Sequence, residues 1–278
     1  MLKSQGWNSC EACSIAIQVR DVPGSAVHSR GAGPSVCHPL RRCPPSGRDD
    51  VDRLYELVAD LRQRVGDARL LRECSKATGW PSRGVYFFFE SGEDRDSGEP
   101  RIVRVGTHGV STGSNTTFWN RLSAHRGVLG GSRAGGGNHR GSIFRLHVGR
   151  ALIARDGIDS PGARIWGSGS SAKPEVCAVE YDIERRVSDY IGAMPLLWIE
   201  VADEAGTTSA RKLIEVKTIA LLSNFDREIV DAASPDWLGR YSPHPAVSRS
   251  GLWNVHHVDE HHDASFFDVL QRYVRAMP

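Results

Sequence analysis

The sequence of 278 residues has no run of 18 or more apolar residues, so no transmembrane helix is expected. Its first residues carry no long apolar stretch followed by a small-residue cleavage site, and a secretory signal is not expected either. A phosphate-binding P-loop, a dinucleotide fingerprint and an internal repeat are missing, and no nucleophile elbow G-x-S-x-G appears in a strand–helix context. These absences exclude the common nucleotide-binding, acyl-hydrolase and repeat classes.

Acidic residues and lysine are missing from the segment 100–154, although the whole chain has a formal net charge of only +2. The segment holds eight arginines, at positions 101, 104, 121, 126, 133, 140, 145 and 150. Such a local positive field attracts polyanions, and arginine favours fork-shaped contacts to phosphate. We therefore expect a nucleic-acid partner. The alternative is a surface balanced by acidic neighbours from elsewhere in the chain.

Cysteine is scarce, and four of the six cysteines lie in residues 1–50, where glycine, proline and serine are frequent and hydrophobic periodicity is missing. This composition predicts a leader with little structure. Cys10 and Cys13 have the spacing of zinc ligands, but Cys37 and Cys43 are further apart, so a zinc module is the alternative, with His38 as a substitute ligand. The isolated Cys74 and Cys177 imply no disulfide, which fits a reducing cytoplasm.

The remaining chain alternates helical and strand patterns. Apolar residues at three- and four-residue steps predict a helix over 51–76 that Gly66 breaks or ends. Two β-branched or aromatic runs, 84–90 and 101–107, flank an acidic loop and predict an antiparallel hairpin. Further on, we expect a helix over 118–126 capped by Thr116 or Thr117, a mobile glycine-rich loop over 127–141, a helix over 142–154, a strand over 195–201, and helices over 207–224 and 265–275.

Four short features of the chain, in this order, resemble one family of nucleases. Gly84-Val85-Tyr86 and Arg104-Val105-Gly106 flank the hairpin turn, Arg121 is followed four residues later by His125, and Glu215 lies on a later helix, with Asn224 after it. Together these residues look like the signature of the GIY-YIG nucleases. Arg104 stands where the second tyrosine of the signature is usual, and the stretch between His125 and the strand at 195 is longer than in the minimal domain.

The resemblance implies an α+β fold with a small three-stranded antiparallel sheet flanked by helices. On this basis we expect a low-structure leader (1–50), a helical extension (51–80), a nuclease domain (81–230) with an insertion at about 127–195, and a C-terminal extension (231–278). It also implies metal-dependent hydrolysis of DNA phosphodiester bonds, with Tyr86 as general base, Arg121 as phosphate stabiliser and Glu215 as the ligand of Mg²⁺, or alternatively of Mn²⁺.

The chemistry of phosphodiester hydrolysis gives the same side chains definite tasks. A phenol is a poor base at neutral pH unless nearby cations favour its phenolate, and Arg104 and His108 are the candidates for this. Arg121 would stabilise charge on the phosphate, and His125, one helical turn away, would relay a proton or hold the phosphate. A single carboxylate, Glu215, suits Mg²⁺, which keeps most of its water ligands. The predicted catalytic residues are thus Tyr86, Arg104, His108, Arg121, His125 and Glu215.

Contacts to DNA outside the reacting centre are expected from the glycine-rich loop and its surroundings. The predicted nucleic-acid-binding residues are Arg126, Arg133, Asn138, His139, Arg140, Arg145 and Asn224. A homodimer or two sequential nicks would be needed for double-strand cleavage by one centre per chain. The alternative functions are a catalytically inactive nucleic-acid-binding protein on the same scaffold and an interaction or zinc-assembly module built on the leader.

Overall fold

The computed structural model describes residues 47–206 and 208–278. The predicted leader, its four cysteines and its zinc alternative lie outside this part of the chain, except that the first helix already begins at Gly47. Among the described residues, no helix combines the length and the apolar character needed to cross a membrane.

A small antiparallel sheet forms the centre of the fold. Its strands are β1 (Arg69–Leu70), β2 (Gly84–Asp94), β3 (Pro100–Thr107) and β4 (Pro195–Glu200). Their order across the sheet is β1-β4-β2-β3, so the predicted hairpin is confirmed and β3 is an edge strand. The predicted sheet of three strands gains a fourth, because the two residues of β1 pair with the start of β4.

Eight helices surround this sheet in the described part of the chain. They are α1 (Gly47–Val65), α2 (Phe118–Arg126), α3 (Ile143–Asp156), α4 (Pro161–Ile165), α5 (Pro174–Gly192), α6 (Ala210–Leu222), α7 (Pro245–Ser250) and α8 (Phe266–Ala276). The helices expected from periodicity are confirmed, and Thr117 caps α2 as one of the two candidates. The long helix α5 was not predicted, although Pro174 at its first turn is a common helix start.

Alternate residues of β2 divide the core between the two faces of the sheet. Val85, Phe87 and Phe89 lie in one hydrophobic cluster, together with residues of α1, α6 and α8. Tyr86 and Phe88 lie in the other, together with residues of α2, α3 and α5. This alternation follows from the two-residue period of a strand, and it places Tyr86 on the face covered by α2.

The C-terminal segment covers the free edge of β3. The amide of Trp253 donates to the carbonyl of Val103 at 2.8 Å. The side chain of Asn254 accepts from the Val105 amide at 3.1 Å and donates to the Val105 carbonyl at 2.8 Å. An edge strand presents unpaired backbone groups, and these contacts satisfy them. The segment expected as an extension therefore completes the sheet beside the candidate site.

Candidate active site

Glycine 106 makes room for the tyrosine of the hairpin. In the register of β2 and β3, Tyr86 faces Gly106 and Phe88 faces Arg104. Tyr86 and Arg104 are therefore not opposite each other across the two strands, but both side chains lie on the same face of the sheet. A Cβ atom at position 106 would lie 2.3 Å from the Tyr86 hydroxyl oxygen, so any larger residue there collides with the ring.

The Tyr86 side chain points inward among aromatic neighbours and ends in a polar contact. The residue is 1% exposed, and its ring makes edge contacts with Phe88 and Phe118. Its hydroxyl lies 3.0 Å from Nε2 of His125, which is itself completely buried. The other ring nitrogen of His125, Nδ1, lies 2.7 Å from the hydroxyl of Ser142. The three side chains form a continuous hydrogen-bonded row.

Arg104 is the charged group that connects the other candidates. Its guanidinium is buried beside the Phe144 ring, and Nη1 donates to the carbonyl of Trp253 at 2.8 Å. Burial lowers the pKa of Arg104, and the charges of Tyr86, Arg121 and Glu215 act on it as well. Its Nε has no hydrogen-bond partner in the described chain. The charges of side chains from three distant segments thus act on one guanidinium.

Arg121 supplies a guanidinium that the protein leaves uncommitted. Helix α2 begins at Phe118 because the Thr117 side chain accepts from the amide of Asn120. Arg121 is partly exposed, and within the described residues its side chain forms no hydrogen bond or ion pair. Its charge acts on His125, whose pKa is held well below its ordinary value by burial and by the charges of Arg104, Arg121 and Arg145. His125 is therefore neutral at neutral pH.

Glu215 reaches the same place from the other face of the sheet. It lies on α6, whose neighbouring Ile214 belongs to the opposite core, and its Oε1 accepts the amide of Thr107 at the end of β3. Burial raises the pKa of Glu215, while Arg104, the Thr107 amide, His257 and Arg121 oppose this. The carboxyl group therefore lies at the end of the edge strand, where the charges of Arg104 and Arg121 act on it.

A comparison with protein-family models identifies the family of the chain. A model described as a GIY-YIG domain matches residues 46–278. The chain belongs to the GIY-YIG family. No curated protein and no solved structure matches it in the corresponding comparisons. Membership in the GIY-YIG family supports a nuclease-type function with a nucleic-acid substrate, and GIY-YIG nucleases generally depend on a divalent metal.

The residues present fit the sparse metal site of a GIY-YIG nuclease. The described residues contain no cluster of three or more His, Cys, Asp or Glu side chains that could hold a metal. Glu215 uses Oε1 for the Thr107 amide, and its other oxygen accepts no hydrogen bond within that part of the chain. Mg²⁺ is commonly held by one or two carboxylates together with waters and substrate phosphate. One carboxylate with one uncommitted oxygen matches this donor set.

His108 lies near the site but does not supply the charge expected of it. Its Nε2 is 3.2 Å from the carbonyl of Ser82, and the residue is buried. Burial first, then the charges of Arg211, Arg83 and Arg121, lower the pKa of His108 to about 4. The imidazole is therefore neutral at neutral pH and cannot stabilise a phenolate by charge.

Four of the residues expected to bind nucleic acid are committed inside the protein. They are His139, Arg140, Arg145 and Asn224. Glu184 of α5 accepts from Arg145 and His139, and Glu180 pairs with Arg140 at 2.7 Å. Asn224 bonds to its own loop through the Asp231 carbonyl. Glu180 and Glu184 of α5 therefore neutralise part of the positive charge of segment 100–154. Their distance from this segment in the sequence gives no sign of the pairing.

Two of the remaining expected DNA contacts line a cleft in the described structure. This cleft of about 790 Å³ lies between α2, the glycine-rich loop and α5, and its lining includes Arg133 and Asn138. Arg133 is exposed and has no ion pair within the described residues. Arg126 is tied more firmly, since it stacks on Trp119 and donates to the Cys74 carbonyl. The cleft adjoins α2, which carries Arg121.

The sequence reasoning missed several residues that shape the site. Gly106 was recognised only as part of the motif, Ser142 only as a helix start, and Trp253 and Asn254 only as part of an extension. A serine directly before a helical pattern is a readable signal for a cap. Its contact with His125 is not readable, because it depends on how α3 packs against α2.

Proposed function

We propose that the chain is a metal-dependent endonuclease that hydrolyses phosphodiester bonds of DNA. The observation that supports this best is that Tyr86 and Arg104 share one face of the sheet and that the charges of Arg121 and Glu215 act on the same buried guanidinium of Arg104. These side chains come from separate segments, and each has a defined task in phosphodiester hydrolysis.

Arg121 is the proposed phosphate ligand. Its side chain is partly exposed and forms no hydrogen bond or ion pair within the described chain. A guanidinium in this state offers paired donors to two phosphate oxygens. Charge that develops on those oxygens in the transition state would be stabilised without rearrangement of the site.

Tyr86 is the proposed general base, and Arg104 is the proposed source of charge beside it. The Arg104 guanidinium is buried on the same face of the sheet as the phenol, and the two side chains interact. His125 does not hold the phosphate, because both of its ring nitrogens already have protein partners. Its task in this proposal is to orient the Tyr86 hydroxyl.

Glu215 is the proposed metal ligand, with Mg²⁺ as the favoured ion and Mn²⁺ as the alternative. When bound, such an ion would stabilise charge on the phosphate and on the leaving oxygen. The Thr107 amide fixes the carboxylate by its Oε1 and leaves the second oxygen for coordination. Arg133 and Asn138, and more weakly Arg126, are the proposed contacts to the DNA backbone.

A catalytically inactive nucleic-acid-binding protein is the second candidate, and one observation favours it. Tyr86 is only 1% exposed, and its ring is packed like its phenylalanine neighbours. A hydroxyl so enclosed acts as a base only if the site opens when DNA binds. If it does not open, the scaffold would bind DNA through Arg121 and Arg133 without cutting it.

A nicking assay on supercoiled plasmid separates the two candidates. The wild-type protein should convert plasmid to the open circle with Mg²⁺ and not with a chelator. Glu215→Gln should abolish cutting while DNA binding in a filter or anisotropy assay changes little. Glu175→Gln is the matched control, because Glu175 is exposed on α5 and lies outside the candidate site. DNA binding by wild type without any cleavage would select the inactive candidate.

A further inference from the structure

The helix that carries Arg121 also forms one wall of the cleft of about 790 Å³. Asn120, the residue directly before Arg121 in α2, lines this cleft. The rest of the lining comes from α5 and from the glycine-rich loop 127–141. Pockets that bind small groups have volumes of about 300–1,000 Å³ and a few well-placed polar side chains. The cleft has the size of such a pocket and lies on the same helix as the proposed phosphate ligand.

The glycine-rich loop is attached to itself and to α5. The Val128 amide donates to the Gly136 carbonyl at 2.7 Å, and the Gly135 amide donates to the Val128 carbonyl at 2.8 Å. The hydroxyl of Tyr181, which lies on α5, donates to the Ala134 carbonyl at the far end of the loop. These hydrogen bonds link two walls of the cleft to each other.

The cleft offers little available charge. Glu184 and Arg133 are the only charged residues in its lining, among the residues that the structure describes. Both carboxylate oxygens of Glu184 are committed, since Oε1 accepts from His139 and Oε2 accepts from Arg145, each at 2.9 Å. A cation therefore finds no uncommitted carboxylate here, and an anion finds one exposed arginine. The interior suits a neutral group.

Two side-chain amides in the lining are available to a ligand. The side chain of Asn120 forms no hydrogen bond within the described chain. Asn138 accepts the amide of Arg140 through Oδ1 at 3.0 Å, and its Nδ2 donates to no other described residue. Small or apolar residues such as Ala124 and Val128 make up much of the remaining lining. The cleft thus presents apolar surface together with donors and an acceptor.

A nucleobase combines the properties that this lining requires. Its flat faces are uncharged, and its edge carries hydrogen-bond donors and acceptors that an asparagine side chain can pair with. A base inside a stacked duplex is covered on both faces by its neighbours, so it enters a protein pocket only after it has left the stack. The phosphates on either side of such a base would remain outside the cleft, where Arg121 and Arg133 are available.

We propose that the cleft binds one unstacked nucleobase of the substrate, next to the phosphate held by Arg121. The inference rests on the proposed nuclease function for its substrate, DNA, and adds that the preferred DNA contains an unpaired base. Asn120 and Asn138 contact the edge of this base. Placing an unpaired base in the cleft costs less than extruding a paired one, so DNA with an unpaired base binds more tightly than a perfect duplex.

Fluorescence anisotropy with the full chain in the presence of a chelator tests the preference without cleavage. Three labelled duplexes share one sequence: one is fully paired, one carries a single unpaired adenine, and one carries an unpaired abasic nucleotide at the same place. The abasic duplex keeps the flexible joint and lacks the base. Wild type should bind the unpaired adenine about 5- to 100-fold more tightly than the abasic nucleotide, the range expected for contacts to one base. Equal affinities would show that only DNA flexibility is recognised and would overturn the proposal.

Ala178→Trp tests whether the cleft is the binding place. Ala178 is exposed on α5 and lines the cleft, so a large ring at this position fills the cleft from its surface. The preference for adenine over the abasic nucleotide should disappear, while the affinity for the paired duplex changes little. Val179→Trp is the matched control, because Val179 is the next residue of the same helix, is 47% exposed and is not part of the lining. This control should keep the wild-type preference.

Asn120→Ala is a milder second variant. It removes an amide that has no hydrogen-bond partner in the described protein, so the fold should be unaffected. The preference for adenine over the abasic nucleotide should fall by about 2- to 10-fold, the loss expected for one or two hydrogen bonds. Equal preferences in wild type, Ala178→Trp and Asn120→Ala would refute the assignment of the cleft.

This inference and the proposed function fail separately. A wild-type protein that never nicks plasmid but prefers the unpaired adenine has the base-binding cleft and is not a nuclease. A wild-type protein that nicks plasmid and shows no such preference is a nuclease whose cleft does not bind a base. A protein that binds none of the three duplexes would overturn both.

Discussion

Gly106→Ala tests whether the hairpin is built around the Tyr86 hydroxyl. The backbone at position 106 is not in the left-handed region, so alanine meets no conformational penalty there. The effect must come from space alone. The new Cβ would lie 2.3 Å from the hydroxyl oxygen and 2.4 Å from Cζ of Tyr86.

The size of the effect follows from these distances. Carbon atoms in contact lie about 3.5–4.0 Å apart, so the ring must move by about 1 Å or more. Overpacking of this kind costs about 1–3 kcal/mol of unfolding free energy. For a domain of this size the midpoint of thermal unfolding should fall by about 2–12 °C. A shift of that length also breaks the 3.0 Å contact to His125, so plasmid cleavage should fall with it.

Urea unfolding of Gly106→Ala and Gly130→Ala measures this effect against a matched control. A Cβ at Gly130 meets no atom within 4 Å, and its φ is negative. Tyr86→Phe in the Gly106→Ala background should recover little stability, because Cζ and Cε2 of the ring remain within 2.4 and 2.6 Å of the new methyl group. Equal stability of Gly106→Ala and Gly130→Ala would refute the close approach of the two strands.

Four further outcomes are expected from other parts of the structure. Burial lowers the pKa of His147 to about 3. Between about pH 6.5 and pH 3, the unfolded chain therefore binds a proton at this residue that the folded chain does not. The unfolding free energy should fall by about 1.4 kcal/mol for each pH unit below about 6.5. Between pH 7 and pH 5, the unfolding free energy measured in urea should fall less for His147→Gln than for wild type. An equal fall in both proteins would contradict this. Glu184→Gln leaves Arg145 buried without a counter-charge and should cost about 3–5 kcal/mol in the same assay. Arg133→Ser should weaken DNA binding for all sequences and reduce the salt slope by about one unit, measured by anisotropy over a salt series. Asn254→Ala removes two bonds to the edge of β3 and should cost about 1–3 kcal/mol without a change in the denaturant m value.

The central elements of the fold were predictable from local patterns. The run of aromatic residues at 84–89, the acidic turn and the alternating residues at 101–107 specify a hairpin by strand chemistry alone. The cap at Thr117 and the apolar period of α6 were equally local signals. The order of Tyr86, Arg121 and Glu215 along the chain then indicated the family, which the family-model match confirms.

Contacts between distant segments were not predictable. The pairing of Arg145 with Glu184 joins α3 to α5, and α5 was not recognised as a helix. The positive segment therefore looked more available to DNA than it is. The two-residue strand β1 is too short to leave a pattern, since it exists only through its pairing with β4. His108 was expected to be a cation, and only its burial shows that it is neutral.

The most direct test of the central claim is a double-mutant cycle on Arg121 and Glu215, measured as single-turnover nicking of supercoiled plasmid with Mg²⁺. If both side chains act on one phosphate in one site, Arg121→Met and Glu215→Gln should each remove most of the cleavage. The double variant should then be no slower than the slower single variant, because residues that act as a unit are not additive. Fully additive losses, or cleavage that survives Glu215→Gln, would contradict a shared site.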